Sequence, residues 1–371
     1  MNEKKVDSEK LEGLDENSSE GGWDEYPLDA VFVRNENRTV AEVVKRINAG
    51  RYQLDPDFQR DFVWDLKKQS RLIESCLMRI PLPVIYVAEI KNGAIAVVDG
   101  LQRLTTFTNF LNDKFSLVLE APENSSLHAL RGLKFSELPI KLQERIEDTQ
   151  LTLYILDSAA PERAKLDIFE RVNNGVPLTR QQMRNCLFNG PATQWLKAAA
   201  TSQEFLVATG RSLSAKAMRD REAINRFSAF KLLGESSYRG DMDAFLARAL
   251  ERMQDPDVNL PSLLENFKNS MKVNYELFGE HAFRRSLSGY VEGGTPSRSI
   301  LNISLFDVCS VLLSDLTLEQ MLNRKDRIRE AINTVLGVPE FSNAITYSTN
   351  STRQIYARFG LARYVISEAL K

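Results

Sequence analysis

Asp99-Gly100-Leu101-Gln102-Arg103-Leu104-Thr105-Thr106 joins two segments with different hydrophobic patterns. The five residues before it, Ala94-Ile95-Ala96-Val97-Val98, form an apolar run typical of a buried strand, and apolar residues recur at helical spacing from Leu104 to Leu111. The pattern therefore predicts a strand, a tight turn and a helix. The first N–H groups of a helix have no acceptor within it, and the helix dipole adds partial positive charge there. The turn is therefore a candidate anion site.

Three residues of this turn have side chains or backbone suited to a phosphate ligand. Arg103 offers a planar, permanently charged fork, Gln102 can donate and accept hydrogen bonds, and Gly100 permits a turn that a side chain would block. Asp99 has three open roles: it can orient Arg103, hold magnesium through water, or position an attacking water. The alternative is an ordinary turn in which Arg103 pairs with Asp99.

Two further segments carry candidate ligand contacts. Gln59 and Arg60 stand among aromatic residues in a segment without regular periodicity, where they can read a base or hold a phosphate. A surface salt bridge is the alternative for Arg60. Arg171 and Asn173 precede Gly175, and the alternative there is a helix end capped through Asn-Gly.

These segments resemble the N-terminal domain family of GmrSD-type restriction endonucleases, whose hallmark is Asp-Gly-Gln-Gln-Arg followed by Leu-Thr-Thr. The resemblance runs from about Thr39 to about Phe230, and Leu101 stands where the family has its first Gln. The other agreeing segments are Phe58-Gln59-Arg60 with Val63-Trp64, Leu72-Ile73-Glu74-Ser75 with Ile80-Pro81-Leu82-Pro83, Phe169 to Leu178, Met183-Arg184-Asn185, and Asp220-Arg221-Glu222 with Arg226-Phe227.

The resemblance implies a fold related to ParB and sulfiredoxin and a function in nucleotide hydrolysis coupled to restriction of modified or foreign DNA. On this basis, the implied catalytic residues are Asp99, Gln102 and Arg103. The implied nucleotide-binding residues are Gln59, Arg60, Gly100, Arg171 and Asn173, with Arg184 and Asn185 as candidates for bracing the pocket. The ligand is a nucleoside triphosphate of unspecified base, with magnesium as a candidate cofactor. If the missing Gln positions water, Leu101 predicts slow hydrolysis.

Other chemistries lack their signatures in this sequence. His128 and His281 are the only histidines, and neither lies in an HNH-like or nucleophile arrangement; a Walker-type phosphate loop is also missing. We therefore expect DNA cutting to require a separate nuclease subunit. Two functions remain: a nucleotide-hydrolysing module of a restriction or antiphage defence system, or a non-catalytic regulator that senses nucleotide or binds DNA.

Length and composition predict two domains or subdomains, and the order of the elements, together with the resemblance, predicts an α+β fold. The chain has 371 residues, 43% of them hydrophobic, and a net charge of −2. We predict a disordered acidic tail at 1–25, a small mixed ParB/sulfiredoxin-like sheet domain at 26–158 and a largely helical domain at 159–371.

Basic residues outnumber acidic ones between Pro161 and Lys231, which makes DNA a candidate partner; a solvated helical surface is the alternative. This set comprises Arg163, Arg171, Arg180, Arg184, Arg211, Lys216, Arg219, Arg221 and Arg226.

The three cysteines, Cys76, Cys186 and Cys309, are far apart and without zinc-site spacing, so we assign no metal ligands and expect three core residues in a reducing, cytoplasmic setting. No apolar run reaches the roughly 20 residues that a membrane span needs.

Capping residues and apolar spacing predict the individual elements. Thr39 with Glu42 starts one helix, Asp65 starts a second whose stripe runs to Ile80, and Lys91-Asn92-Gly93 links two strands in a hairpin. Strands are also predicted at 115–119 and 151–156, and a helix at 140–146. Beyond 162 the prediction is helical, with Thr179 and Gln182 capping one helix and a loop at 286–299.

Overall fold

The computed structural model describes residues 11–12, 33–54, 64–90, 93–119, 129–160, 165–168 and 179–371. Their contacts divide into two compact units. The sheet unit comprises the described residues of Trp23–Leu187, and the helical unit comprises those of Met1–Gly22 and Phe188–Lys371. The chain is thus α+β, with a mixed sheet followed by a largely helical region, as the sequence predicts.

The described residues of the sheet unit combine a five-stranded sheet with α-helices. In chain order they are β1 (Val33–Thr39), α1 (Val40–Asn48), β2 (Tyr52–Gln53), α2 (Leu66–Leu77), β3 (Ile85–Glu89), β4 (Ile95–Asp99), α3 (Leu101–Leu111), α4 (Ile140–Glu147), β5 (Gln150–Leu156) and α5 (Arg180–Leu187). The strand order is β1-β5-β3-β4-β2. The β1/β5 and β3/β4 pairs are antiparallel, whereas β5/β3 and β4/β2 are parallel.

Local capping chemistry starts the first two helices where the sequence predicts. The Thr39 hydroxyl accepts the Glu42 N–H at 3.2 Å, and the Asp65 carboxylate accepts the Lys68 N–H at 2.8 Å. These bonds satisfy N–H groups that the helix itself leaves without an acceptor. The hairpin is also confirmed, because the β3 and β4 ladder closes at Ile90, whose N–H bonds the Ala94 carbonyl at 2.9 Å.

Three predicted elements differ from the structure. Residues 115–119 form no strand, although their alternate side chains are buried; Leu117 exchanges backbone hydrogen bonds with Gly132 and Leu133 in an irregular segment. The second helix ends at Leu77 rather than near Ile80, and Arg79 adopts a left-handed φ of 58°. Inside the predicted loop at 286–299, residues Leu287–Val291 form a short helix.

Strand β1 is absent from the sequence prediction. Its sequence, Val-Arg-Asn-Glu-Asn-Arg-Thr, is polar, and every residue is exposed or half-buried. A strand with one paired edge and little buried apolar surface gives no hydrophobic signal. Its position is instead fixed by β5, with Val33 opposite Leu156 and Thr39 opposite Gln150.

The helical unit is built around a core of aromatic and aliphatic side chains. Its helices are α6 (Pro191–Ala200), α7 (Gln203–Thr209), α8 (Arg219–Leu233), α9 (Met242–Arg252), α10 (Leu260–Phe278), α11 (Leu287–Val291), α12 (Ile303–Leu312), α13 (Leu318–Asn323), α14 (Lys325–Leu336), α15 (Pro339–Ala344) and α16 (Thr352–Leu370). Phe267 lies at the centre of this core, with ring contacts to Trp195, Phe205 and Phe227. Among the helices described in both units, none combines the length and apolar character needed to cross a membrane.

A charged cluster is buried in the helical unit. The carboxylate of Asp307 on α12 accepts hydrogen bonds from Arg226 on α8, at 2.9 and 2.6 Å, and from Arg358 on α16, at 2.9 Å. All three side chains are almost fully buried. Burial lowers the pKa of Arg358 to about 10, and the positive charge of Arg226 acts in the same direction. Two guanidinium groups thus share one carboxylate and link three helices.

Candidate functional site

The sequence Asp99–Leu104 forms the predicted corner between β4 and α3, hereafter the Gly100 corner. Gly100 is the N-cap of α3, with a left-handed φ of 102° and no side-chain cap. The first intrahelical bond runs from the Leu104 N–H to the Gly100 carbonyl at 2.9 Å. The helix therefore begins at Leu101, and its N-terminal end, which favours an anion, lies at the Gly100 corner.

Close packing makes glycine the required residue at this corner. A Cβ at position 100 would lie 3.0 and 3.1 Å from the two γ carbons of Ile85 and 3.4 Å from an Arg103 nitrogen. A φ of 102° is in addition a conformation that other L residues rarely adopt. Both reasons confirm the sequence-based argument that a side chain would block this turn.

The guanidinium of Arg103 is bound within the protein. One terminal nitrogen donates to the Asp99 carboxylate at 2.9 Å and to the Val84 carbonyl at 3.0 Å, and the other donates to the Pro83 carbonyl. Its side chain is only 11% exposed, and burial lowers its pKa, partly offset by Asp99. The structure therefore shows the Arg103–Asp99 pair that the sequence left as an alternative, and Arg103 ties the segment before β3 to α3.

Gln102 connects the corner to the segment containing Trp64. Its side-chain oxygen accepts the Trp64 N–H at 3.4 Å, and the Trp64 carbonyl in turn accepts from Gln69 at 3.0 Å. Three of the segments that resemble the family thus meet here. They end at Trp64, Pro83 and Arg103. The carbonyl acceptors of Pro83 and Val84 carry no side-chain signal, so sequence analysis missed them.

Leu101, the residue that departs from the family pattern, packs against the apolar core of the sheet unit. It is half-buried at the first position of α3. The side chain therefore contributes to the core of the unit, and a glutamine here would have to leave that contact to reach a ligand.

Four of the predicted binding residues, Gln59, Arg60, Arg171 and Asn173, lie outside the described residues. Their predicted grouping with the Gly100 corner stays a prediction. His128 and two of the basic residues considered for DNA contact, Arg163 and Arg171, also lie outside them.

Two of the other basic residues are buried, so they fit neither a DNA-binding surface nor a solvated helix face. Arg226 belongs to the cluster around Asp307, and Arg184 is 1% exposed on α5. The Arg184 Nε donates to Gln181 at 3.0 Å, and the Gln181 amide donates to Asn185 at 3.0 Å. This polar network lies on the helix that packs against β4, the strand leading to Gly100. In the sequence, the spacing of Gln181, Arg184 and Asn185 at i, i+3 and i+4 places their side chains on one face of the helix, which is the pattern that could have predicted this network.

A separate cavity lies at the opposite end of β4. It is lined by Glu42, Lys45, Arg46, Ala49 and Arg51. The Arg51 carbonyl accepts the N–H of Ile95, the first residue of β4, whereas the Gly100 corner follows the last residue, Asp99. This cavity and the corner are therefore distinct places on the sheet unit.

The cysteines and the carboxylates were the remaining candidates for a metal site. All three cysteines are buried and free, as predicted, and burial raises the pKa of Cys76 to about 11 and that of Cys309 to about 12. In the described part of the chain, no three His, Cys, Asp or Glu side chains gather as a metal site.

Comparison with known proteins supports the resemblance seen in the sequence. The family model described as GmrSD restriction endonuclease, N-terminal domain, matches residues 40–189, a range that includes the Gly100 corner. The segment Asp220-Arg221-Glu222 with Arg226-Phe227 lies beyond that range. No curated protein and no solved structure gives a significant match. Residues 40–189 therefore match the N-terminal domain family of GmrSD restriction endonucleases.

Proposed function

We propose that this protein is a nucleotide-binding module of a DNA restriction or antiphage defence system, with the phosphates of a nucleoside triphosphate bound at the Gly100 corner. The observation that carries the proposal is the start of α3, where the helix N-terminus has a glycine N-cap without a side-chain cap and lies beside the largely buried Arg103 guanidinium. The family match adds the restriction context. Helix N-termini of this kind bind phosphate through backbone N–H groups and the helix dipole.

In this proposal, the roles of the side chains at the corner differ from those that the sequence predicts. Arg103 stabilises the corner through hydrogen bonds to three protein acceptors, and its charge adds positive potential there. Because its guanidinium is engaged in these bonds, direct binding of a phosphate by Arg103 would require breaking them. Asp99 offsets this charge. Gln102, on the first turn of α3, has the donor and acceptor groups to contact a phosphate or a water.

Magnesium fits this site through one protein ligand. Asp99 supplies the only carboxylate in the corner sequence, and its side chain is 36% exposed. Magnesium in nucleotide sites takes one or two carboxylates together with phosphate oxygens and water, so Asp99 would hold it on the protein side.

Hydrolysis is the first form of this function, and binding without turnover is the second. Phosphoryl hydrolysis needs stabilisation of developing charge and an oriented water. Two observations favour the binding-only form: the half-buried Leu101 packs against the core where the family has glutamine, and Arg103 is engaged within the protein. Cutting of DNA would then be supplied by a separate nuclease partner, with nucleotide binding controlling that partner or DNA.

The test is titration of the full chain with labelled ATP, GTP, CTP and UTP, with and without magnesium, alongside phosphate release. Asp99→Asn preserves an acceptor for Arg103 but removes the negative charge, so without magnesium we expect tighter nucleotide binding, by up to about tenfold. With magnesium, loss of the metal ligand should reduce turnover. The matched control is Asp148→Asn, an exposed residue of the same unit. Unchanged affinity and turnover in Asp99→Asn would refute the site.

Leu101→Gln separates the two forms of the function. If the family glutamine positions water, this variant raises the rate of phosphate release while nucleotide affinity stays within about twofold. If wild type and Leu101→Gln both bind nucleotide without releasing phosphate, the protein is a nucleotide sensor. If neither binds any of the four nucleotides, both forms are wrong.

A further inference from the structure

A short piece of the acidic N-terminal sequence is docked on the helical unit. The Glu12 N–H donates to the Leu301 carbonyl at 3.1 Å, and the Ile303 N–H donates to the Glu12 carbonyl at 3.1 Å, which makes a parallel bridge. The Glu12 carboxylate accepts from Arg285, with nitrogen to oxygen distances of 3.1 and 3.0 Å. Backbone pairing and a two-oxygen ion pair therefore hold the same residue.

The surface that receives Glu12 is fixed independently of it. On its other side, Leu301 forms an antiparallel bridge with Arg284, and the Asn302 N–H donates to the Phe283 carbonyl at 2.9 Å. The fully buried Asn302 side chain also donates to the Ile345 carbonyl at 2.9 Å and accepts the Leu305 N–H at 2.9 Å, which caps α12. The receiving backbone edge is thus preformed.

Arg285 is also positioned by the helical unit. Its guanidinium donates to the hydroxyl of Thr346, whose hydroxyl donates in turn to the Ser342 carbonyl at 2.5 Å on α15. The Arg285 and Glu12 side chains are 36% and 26% exposed, so the ion pair lies at the surface and can be reached by a competing carboxylate. We name this surface, the backbone of Leu301–Ile303 with the Arg285 side chain, the Arg285 edge.

We propose that the Arg285 edge is a binding site for an extended acidic peptide, occupied in this chain by its own segment around Leu11 and Glu12. Addition of an extended segment to an exposed backbone edge, with one side chain read by a charged partner, is a recurrent mode of peptide recognition. The charge of the chain fits this role, because residues 1–25 contain nine acidic and three basic residues. The segment is a tethered ligand that an acidic segment of another protein has to displace.

Hydrogen exchange in the full chain tests the intramolecular contact. We expect the Ile303 amide to lose protection by about fivefold in Glu12→Lys, because a half-exposed ion pair contributes on this scale. Arg285→Glu should give the same loss, and the charge swap Glu12→Arg with Arg285→Glu should recover protection. The control is Glu319→Lys, the same charge change at an exposed residue of α13. Unchanged protection in Glu12→Lys, or no recovery in the charge swap, would overturn the proposal.

Binding in trans tests the peptide specificity. The probe is a fluorescent synthetic peptide of residues 5–18 added to the full-length Glu12→Lys chain, whose own segment competes more weakly. We expect this chain to bind the peptide up to about fivefold more tightly than wild type, and the added change Arg285→Glu to abolish binding. A scrambled peptide of the same composition is the control. Equal binding of both peptides, or no binding of the native one, would contradict an acidic-peptide site.

Discussion

Single residues at the Gly100 corner show how far local chemistry can be derived from sequence. The need for glycine, the start of α3 and the Arg103–Asp99 pairing all follow from a few neighbouring residues, and the structure has each of them. The engagement of Arg103 by Pro83 and Val84 does not follow, because backbone carbonyls brought by a different segment leave no mark in the sequence. The sequence therefore predicts phosphate contact for Arg103 but gives no sign of its bonds to the Pro83 and Val84 carbonyls.

Gly100→Ala tests the steric argument at this residue. The added methyl group would meet Ile85 at about the closest distance that real contacts reach, and the left-handed backbone adds strain. We expect a loss of about 1–3 kcal/mol in the free energy of unfolding, measured by urea denaturation. Gly93→Ala is the control, since it has a positive φ but nothing within 4 Å of the added carbon. An equal loss in both variants would show that backbone strain alone decides.

Arg103→Ala should reduce stability as well as any nucleotide binding. The change leaves the Pro83 and Val84 carbonyls and the Asp99 carboxylate without their shared donor. We expect a loss of about 1–3 kcal/mol in urea unfolding. Arg103→Lys should recover only part of this loss, because one ammonium group cannot reproduce the planar fork. Full stability in Arg103→Ala would show that these bonds contribute little.

Among the helices and strands, the sequence predicts those that have capping or turn residues nearby. It does not predict those whose position depends on a distant partner. Helices α1 and α2 and the β3/β4 hairpin have caps or turn residues within a few positions. Strand β1 is polar and depends on pairing with β5, more than a hundred residues away, so hydrophobic spacing could not reveal it. Conversely, residues 115–119 have the alternation of a strand but no neighbouring strand to pair with among the described residues.

Helix α8 carries a prediction about pH. Asp220, in its first turn, is 8% exposed, and burial raises its pKa above the ordinary value of 3.8, opposed by the Arg221 N–H bond. The folded state therefore holds a proton that the unfolded state releases, and the stability linked to it is lost as pH rises from about 3.8 through the raised pKa. Relative to wild type, Asp220→Asn should gain free energy of unfolding between pH 4 and pH 7, measured by denaturant titration.

Asp257→Asn is the comparison of opposite sign. Hydrogen bonds from Arg252 lower the pKa of Asp257, so its contribution to stability is present above pH 3.8 and is lost as pH falls. Relative to wild type, this variant should lose stability as pH rises through the range below about pH 4 and stay level above it, by a small amount because the residue is exposed. A flat pH profile for the Asp220→Asn difference would contradict the role of burial.

For the whole molecule, the buried cluster of Arg226, Asp307 and Arg358 makes stability depend on charge balance. Asp307→Asn leaves two buried guanidinium groups without a carboxylate, and we expect a loss of about 3–5 kcal/mol in the free energy of unfolding. Arg358→Met keeps a one-to-one pair between Arg226 and Asp307 and should cost less, about 1–2 kcal/mol. Chemical denaturation of both variants gives the comparison. The reverse order of losses would show that the excess positive charge is not the source of the effect.

The pairing of β1 with β5 has a consequence for the order in which the protein assembles during synthesis. The β3/β4 hairpin and α3 can form as soon as they leave the ribosome, because their partners are adjacent in the chain. Residues Val33–Thr39, although translated earlier, have no sheet partner until Leu156 has emerged. The first strand of the sheet is therefore among the last to pair. Until then, its charged, polar sequence disfavours pairing with other strand edges.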